Sequence, residues 1–368
     1  MAQGTGRGMT WFGLTDQQNG RFSKSGLSKT GNRALPSGPM FERGTLVFET
    51  LVAGHERPHD LFGIAHPFPW PREVTFRAIP GGGIALLHRH HMDVTHAAIR
   101  WANDGRTHTL RVTYAWNAPE GWGRLALERP EGNRIISRPV HMPKPLMTDD
   151  VRDIMLAHPA RTLSQEVQFA AISDDILPLG PMPSLHPETP IATPAGYRPA
   201  QSLQRGDTVT TDTGNIVPVL HTVRHTVPAR GSFAPVRLRA PYFGLQRDIV
   251  VAPEQRLVLK GSEVEYIFGQ EAVLVPARHL VNGHAAVWNA CSSLVDYVQV
   301  VLPGHEALVA AGCALESLYI GRIRRDAERL DASVLGDIPS RLLPEHARPI
   351  HQVLGSFEAI TLVDQRAA

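Results

Sequence analysis

Residues 184–211, SLHPETPIATPAGYRPAQSLQRGDTVTT, alternate short apolar segments with turns, and this alternation decides the fold of the second half of the chain. An apolar segment at 189–193 is followed by a turn at 194–196. A second turn at 205–207 precedes a β-rich run at 208–211. Gly and Asp supply the backbone conformations that such reversals need. The stretch therefore predicts the opening hairpins of an all-β domain.

The region that follows continues this pattern to residue 322. We expect strands at 216–223, 236–239, 248–252, 255–259, 264–268, 272–275, 295–302 and 307–310. The opening stretch resembles the first segment of Hint domains, the hedgehog/intein autoprocessing fold. There a nucleophile is followed by T-x-I-x-T-P-x-G and then by L-x-x-G-D-x-V. Further pieces similar to the short bacterial type lie at 234–240, 248–253, 274–283 and 316–319. The resemblance implies a Hint-like domain over residues 184–322.

The resemblance also implies a chemistry, which this sequence carries incompletely. In the family, a Cys or Ser at the first position attacks the preceding carbonyl, which puts Ser184 at the nucleophile position and Pro183–Ser184 at the scissile bond. The weak hydroxyl needs activation, and the leaving nitrogen needs a proton. The family's Thr-x-x-His motif corresponds to residues 252–255, where Ala252 has no hydroxyl and Gln255 replaces the histidine. A glutamine does not transfer protons near neutral pH.

Two hypotheses follow from this degenerate site. Losing a positioned acid–base group costs about 10²–10⁴ in rate, and no His-Asn splice junction occurs near residues 320–322. The favoured hypothesis is a Hint-fold protein without effective autoprocessing that acts as a binding or structural module and not as an enzyme. The alternative is slow autoproteolysis at Pro183–Ser184 by an N–O acyl shift. Its catalytic candidates are Ser184, Gln255 and His305, the last as proton donor or, alternatively, as a buried hydrogen-bonded residue.

The first half of the chain predicts a β-sandwich over residues 41–140. Segments 45–52, 72–79 and 107–116 alternate with period two, and Gly-rich turns separate them. Segment 104–116, followed by 123–127, resembles the back of a concanavalin-like (laminin-G-type) jelly roll. Because such sandwiches carry binding loops, the resemblance makes this domain a candidate for glycan or protein recognition.

The densest group of histidines lies within this sandwich. It comprises His88, His90, His91 and His96, with Asp93 nearby. On a strand, positions 88 and 90 face the same side, so two imidazoles can meet one ion, but a zinc site needs further ligands. We expect solvated histidines here and predict no metal and no cofactor.

The flanking regions complete a mainly β architecture with a helical C-terminal tail. Residues 1–40 are rich in Gly, Ser, Asn and Gln, which predicts a flexible arm. Residues 141–183 predict a connector, with a helix at 148–157, a strand at 167–172 and a Pro-rich linker at 177–183. In the tail, 323–368, apolar residues recur at helical spacing, which predicts helices that dock on the parent domain or, alternatively, bind a partner. They are Ile323, Ala327, Leu330 and Val334, and then Val353, Leu354, Phe357 and Ile360.

Composition excludes several classes of protein. The 368 residues are 42% hydrophobic and 20% charged with a net charge of +2, so neither nucleic acid nor an anionic membrane is expected as a partner. No apolar run reaches the roughly 18 residues of a membrane span. The N-terminus lacks a signal-peptide core, which predicts a cytoplasmic protein or one exported without a cleaved signal peptide. Two cysteines, Cys291 and Cys313, make no disulfide framework.

Overall fold

The computed structural model describes residues 9–28, 39–52, 57–102, 107–132, 134–289 and 292–367. Two compact units divide the chain, Met9–Leu177 and a unit that contains Pro178–Ala368. The fold is mainly β, as the sequence predicts. Across the described ranges, no helix combines the length and the apolar character needed to cross a membrane.

The first unit is a sandwich of antiparallel sheets. A seven-stranded sheet has the order β11-β10-β9-β4-β14-β1-β2, a five-stranded sheet has the order β13-β5-β6-β7-β8, and β12 pairs with β3. The strands are β1 (Trp11–Asp16), β2 (Gly20–Phe22), β3 (Met40–Phe41), β4 (Arg43–Val52), β5 (His59–His66), β6 (Arg72–Ala78), β7 (Ile84–His90), β8 (Asp93–Ile99), β9 (His108–Asn117), β10 (Trp122–Glu128), β11 (Ile135–His141), β12 (Leu146–Met147), β13 (Arg161–Leu163) and β14 (Val167–Ser173).

The expected flexible arm is wrong for residues 9–28, and residues 1–8 and 29–38 lie outside the described ranges. Strands β1 and β2 belong to the seven-stranded sheet, and Trp11 and Phe12 are fully buried. Aromatic side chains that bury this much area outweigh a polar, Gly-rich composition around them.

The expected connector is also largely part of the sandwich. Helix α1 (Thr148–Met155) forms where the sequence predicts it, with Val151, Ile154 and Met155 buried on one face. Strand β14 lies between β4 and β1, inside the seven-stranded sheet. The first unit therefore ends at Leu177 and not at residue 140.

The second unit holds fourteen described strands around one main core. They are β15 (Pro190–Thr193), β16 (Gly196–Pro199), β17 (Thr208–Thr210), β18 (Ile216–Pro218), β19 (His221–Pro228), β20 (Val236–Leu238), β21 (Ile249–Val251), β22 (Arg256–Lys260), β23 (Ala272–Pro276), β24 (Ala286–Trp288), β25 (Leu294–Val301), β26 (Ala307–Ala310), β27 (Cys313–Glu316) and β28 (Gln352–Val353). A seven-stranded sheet has the order β16-β15-β26-β27-β22-β23-β28, β19 pairs with β25, and β20 lies between β21 and β24.

Segment 264–268 is a helix and not the expected strand. It belongs to α2 (Ser262–Phe268), which ends at Gly269 in the left-handed conformation with φ 63°. Glycine adopts that conformation without a Cβ penalty and commonly terminates helices. Val264, Ile267 and Phe268 recur at three- and four-residue spacing, which in so short a run does not distinguish a helix face from a strand.

The tail is helical only in part. Helices α3 (Ala327–Asp331) and α4 (Ser356–Ala367) are separated by irregular chain and by β28, which pairs in parallel with β23. In α4 the buried residues are Ala359 and Leu362, whereas Phe357 and Ile360, which we expected on the docked face, are exposed. The docking predicted for the tail is present, but it uses a different face of the helix.

Candidate functional site

Backbone pairing fixes the position of Ser184 in the second unit. The next residue, Leu185, forms antiparallel bridges with Val251 of β21 and Val298 of β25. The Ser184 carbonyl accepts a hydrogen bond of 2.7 Å from the N–H of Ala252. Leu185 is buried in the core. Because side chains alternate along extended chain, Ser184 points away from that core.

The Ser184 hydroxyl is hydrogen-bonded to two buried glutamines. Ser184 Oγ donates to Gln255 Oε1 at 2.5 Å and accepts from Gln299 Nε2 at 3.2 Å. Gln299 Nε2 also lies 3.0 Å from Gln255 Oε1. Both glutamines are only 2% exposed. We call Ser184, Gln255 and Gln299 the serine–glutamine cluster.

Backbone carbonyls satisfy the remaining donors of this cluster. Gln255 Nε2 donates to the carbonyls of Arg256 at 2.9 Å and Glu316 at 3.1 Å. Gln299 Nε2 lies 3.2 Å from the same Glu316 carbonyl. Buried amides that are fully paired in this way stabilise a fold, whereas unpaired ones cost about 1–3 kcal/mol each.

None of the three side chains of the cluster can take or give a proton near neutral pH. Within the described ranges, the hydrogen-bond partners of Ser184 Oγ are the two glutamine side chains. Ala252 contributes only its backbone N–H. An amide oxygen orients a hydroxyl but is not a general base, so the geometry holds Ser184 without activating it. The neighbouring carboxylate of Glu254 pairs instead with Arg278.

His305, the third sequence candidate, is held elsewhere. Its side chain is 2% exposed, its Nε2 lies 3.0 Å from Glu316 Oε1, and its Nδ1 accepts from the Ile350 N–H at 3.0 Å. Both ring nitrogens therefore face partners other than Ser184. The structure brings Ser184 and Gln255 together and places His305 in a separate polar group.

Gln299 is the member of the cluster that sequence reasoning missed. It lies in β25 between Val298 and Val300, whose side chains point into the core. A single glutamine in an apolar strand was the available signal, because a buried polar side chain needs a partner. Only the fold, which pairs β25 with Leu185, shows that this partner includes Ser184.

The match to a known family concerns this same part of the chain. Residues 183–322 match the sequence model of the Hint domain family. The chain contains a Hint domain. Its first matched residues, Pro183 and Ser184, are those that the sequence places at the processing position.

Comparisons with solved structures give matches at low identity. The MchDnaB-1 intein matches at 16% identity with TM-score 0.25, over 36% of this chain and 98% of that one. The Ruminococcus gnavus IT-sialidase CBM40 bound to α2,6-sialyllactose matches at 12% identity with TM-score 0.25, over 37% and 78%. A heptameric SAP-like pentraxin from Limulus polyphemus matches at 10% identity with TM-score 0.19, over 47% and 59%. No curated protein matches the chain.

The histidine group of the first unit does not converge on one point. His88 is 1% exposed, and its Nδ1 is hydrogen-bonded to the Tyr114 hydroxyl at 2.9 Å. Burial lowers the pKa of His88 to about 3. His96 is exposed, and Asp93 pairs with Lys144 at 3.0 Å. The expectation of solvated histidines is therefore wrong for His88, a buried neutral ring.

A second set of ligand-type residues in the first unit lies around α1. His66 Nε2 and His158 Nε2 lie 3.6 and 3.8 Å from Asp153 Oδ2. The other Asp153 oxygen accepts two hydrogen bonds from Arg152, which balances its charge. His158 Nδ1 accepts from the Ala160 N–H, so a neutral ring carries its proton on Nε2. A metal-binding histidine needs the opposite arrangement, and we therefore interpret this set as structural pairing.

Proposed function

We propose that this chain is a Hint-fold protein without effective autoprocessing, which acts as a binding or structural module. One observation carries the proposal: the Ser184 hydroxyl is held between the amides of Gln255 and Gln299, and neither amide transfers a proton. The acyl shift is slow for two reasons: the nucleophile is a serine hydroxyl and not the more nucleophilic thiol, and no acid–base group is present to transfer protons.

Intact-mass measurement on the purified full-length protein tests this proposal. The expected result is one species of 40.4 kDa after incubation with hydroxylamine at neutral pH, apart from cleavage at Asn19-Gly20 and Asn282-Gly283, since hydroxylamine also attacks Asn-Gly bonds. A Ser184→Ala variant is the matched control, because it lacks the attacking oxygen. Fragments divided between Pro183 and Ser184 in the parent protein, and absent from the variant, would establish autoproteolysis instead.

Recognition is assigned in this proposal to one end of the N-terminal sandwich. Large apolar side chains are exposed there, including Phe68 at 80%, Met92 at 82% and Met142 at 66%. The turns that carry Phe68 and Met92 are joined by a hydrogen bond from the His91 N–H to the Pro71 carbonyl. Exposed apolar groups gathered on neighbouring turns are typical of interaction surfaces.

A glycan array tests whether the partner of this surface is a sugar. If a glycan is the ligand, the parent protein binds a defined subset of the array, and a Phe68→Ser, Met92→Ser variant loses that binding. A parent protein at background on every spot would exclude the arrayed sugars as ligands of this surface. The variant changes only exposed positions, so we expect it to keep the parent's fold, which a thermal melt checks.

A further inference from the structure

Two buried histidines attach the C-terminal tail to the Hint domain. His346 is 2% exposed, its Nδ1 accepts from the Ile320 N–H at 3.3 Å, and its Nε2 lies 3.1 Å from the Leu302 carbonyl. His305 Nδ1 accepts from the N–H of Ile350 at 3.0 Å. We call His305 and His346 the histidine clamp.

The rings of the clamp pack together. The centroids of His305 and His346 are 5.6 Å apart, and Tyr319 lies 4.9 Å from the first and 6.1 Å from the second. The clamp thus ties a tail residue, His346, and a tail N–H, that of Ile350, to the domain through one aromatic stack. Both contacts precede β28 and α4, which dock further along the tail.

Both attachments require neutral rings. In each ring Nδ1 is an acceptor for a backbone N–H, so the neutral proton is on Nε2. A second proton on Nδ1 would face that N–H and break the hydrogen bond. The atom at which a second proton would break the attachment is therefore Nδ1 in both His305 and His346.

We propose that the histidine clamp is a proton-sensitive latch, which lets the tail from residue 344 onward open more often as the pH falls below about 6.5 while the rest of the Hint domain stays folded. Release removes β28 from β23 and leaves the backbone donors and acceptors on that edge of β23 unpaired. It also uncovers the core positions that Leu354, Ala359 and Leu362 fill. An edge strand beside an apolar surface is then open to a partner strand.

Charged groups around the clamp act in both directions. Glu316 Oε1 lies 3.0 Å from His305 Nε2, and the same oxygen pairs with Arg256 Nη1 at 2.9 Å, which balances its charge. Burial is the largest influence on His346 and lowers its pKa, whereas the hydrogen bond to the Leu302 carbonyl and the charge of Glu316 act to raise it. Other charged or titratable groups lie around the tail, among them His351, Glu345, Arg324, Arg325, His221, Asp212, Lys260 and Glu271.

The sign of the pH effect follows from the lowered pKa. The attached tail holds His346 neutral, whereas the released tail has an ordinary histidine pKa near 6.5 and takes up a proton. Attachment is therefore complete above pH 6.5 and weakens as the pH falls. A histidine that stays neutral while attached raises the opening constant by up to about 30-fold between pH 7.5 and 5.

Hydrogen exchange on the full chain tests the latch. After correction for intrinsic rates, the amides of Ile350 and Leu354 are expected to open about tenfold or more readily at pH 5 than at pH 7.5, while those of β22 and β25 remain protected. In a His305→Gln, His346→Gln variant, this pH dependence should vanish. His284→Gln, at an exposed position, is the matched control and should behave as the parent does.

Three outcomes would overturn the latch. One is tail opening that does not change with pH in the parent protein. Another is loss of protection in the tail and in β25 together, which would mean unfolding of the whole unit. The third is an unchanged pH dependence in the double variant. If that variant fails to fold, His346→Gln alone takes its place, and a pH dependence unchanged from the parent protein overturns the latch.

Discussion

Restoring an acid–base group at residue 255 should restore part of the lost chemistry. The perturbation is Gln255→His in a Ser184→Cys background. The Gln255 amide oxygen lies 2.5 Å from Ser184 Oγ. A histidine ring nitrogen extends about as far along its side chain as that amide, so it can reach the thiol. We expect the acyl shift at the peptide bond after Pro183 to be about 10²–10⁴ faster in the double variant than in Ser184→Cys alone.

Intact mass after incubation with dithiothreitol measures this rate. The two fragments have nearly equal lengths, so mass and not gel mobility must resolve them. Ser184→Ala, Gln255→His is the control, since it carries the acid–base group without a nucleophile and should stay intact. The protection of the Ala252 amide, which bonds to the residue 184 carbonyl, reports whether the local fold is kept. Equal cleavage rates with and without the Gln255→His substitution, in folded protein, would refute the explanation that a missing proton-transfer group silences the site.

Two further predictions concern stability. Ser184→Ala should lower the free energy of unfolding of the second unit by only about 1–2 kcal/mol, because Gln255 Oε1 keeps the Gln299 donor at 3.0 Å. Hydrogen exchange of β25 amides measures it, and a loss above about 4 kcal/mol would contradict this account of the cluster. The first unit should lose about 2 kcal/mol between pH 6.5 and pH 5, since the folded-state pKa of His88 is about 3 and the unfolded chain takes up the proton. Thermal melts should show this loss in the parent protein, and an equal loss in His88→Gln would assign it to other groups.

Local sequence signals determined the strand-rich class and much of the Hint domain. Turns with Gly and Asp, such as the one at Gly206, and period-two apolar runs are encoded within a few residues of each other. For the same reason the matched positions of Ser184 and Gln255 could be predicted, as they lie at fixed distances from recognisable motifs. The helix predicted at 148–157 from its first residues and its apolar spacing is also present, as α1 at Thr148–Met155.

Long-range packing decided what the local signals did not. Residues 11–16 form a strand because Trp11 and Phe12 fill the sandwich core, although the surrounding composition predicts an arm. Segment 262–268 is a helix because Gly269 ends it and Val264 packs inward, which a short apolar run does not reveal.

The candidate site, too, was predicted from the sequence only in part. At the positions of the family's Thr-x-x-His motif, the sequence has Ala252 in place of the threonine and Gln255 in place of the histidine. These two replacements alone predicted a weak autoprocessing site. Only the tertiary structure showed which side chains surround the Ser184 hydroxyl instead. Gln299 is 115 residues from Ser184 in the chain, and it reaches the hydroxyl because β25 pairs with Leu185. Hydrogen bonds between residues so far apart depend on strand pairing, which no local pattern encodes.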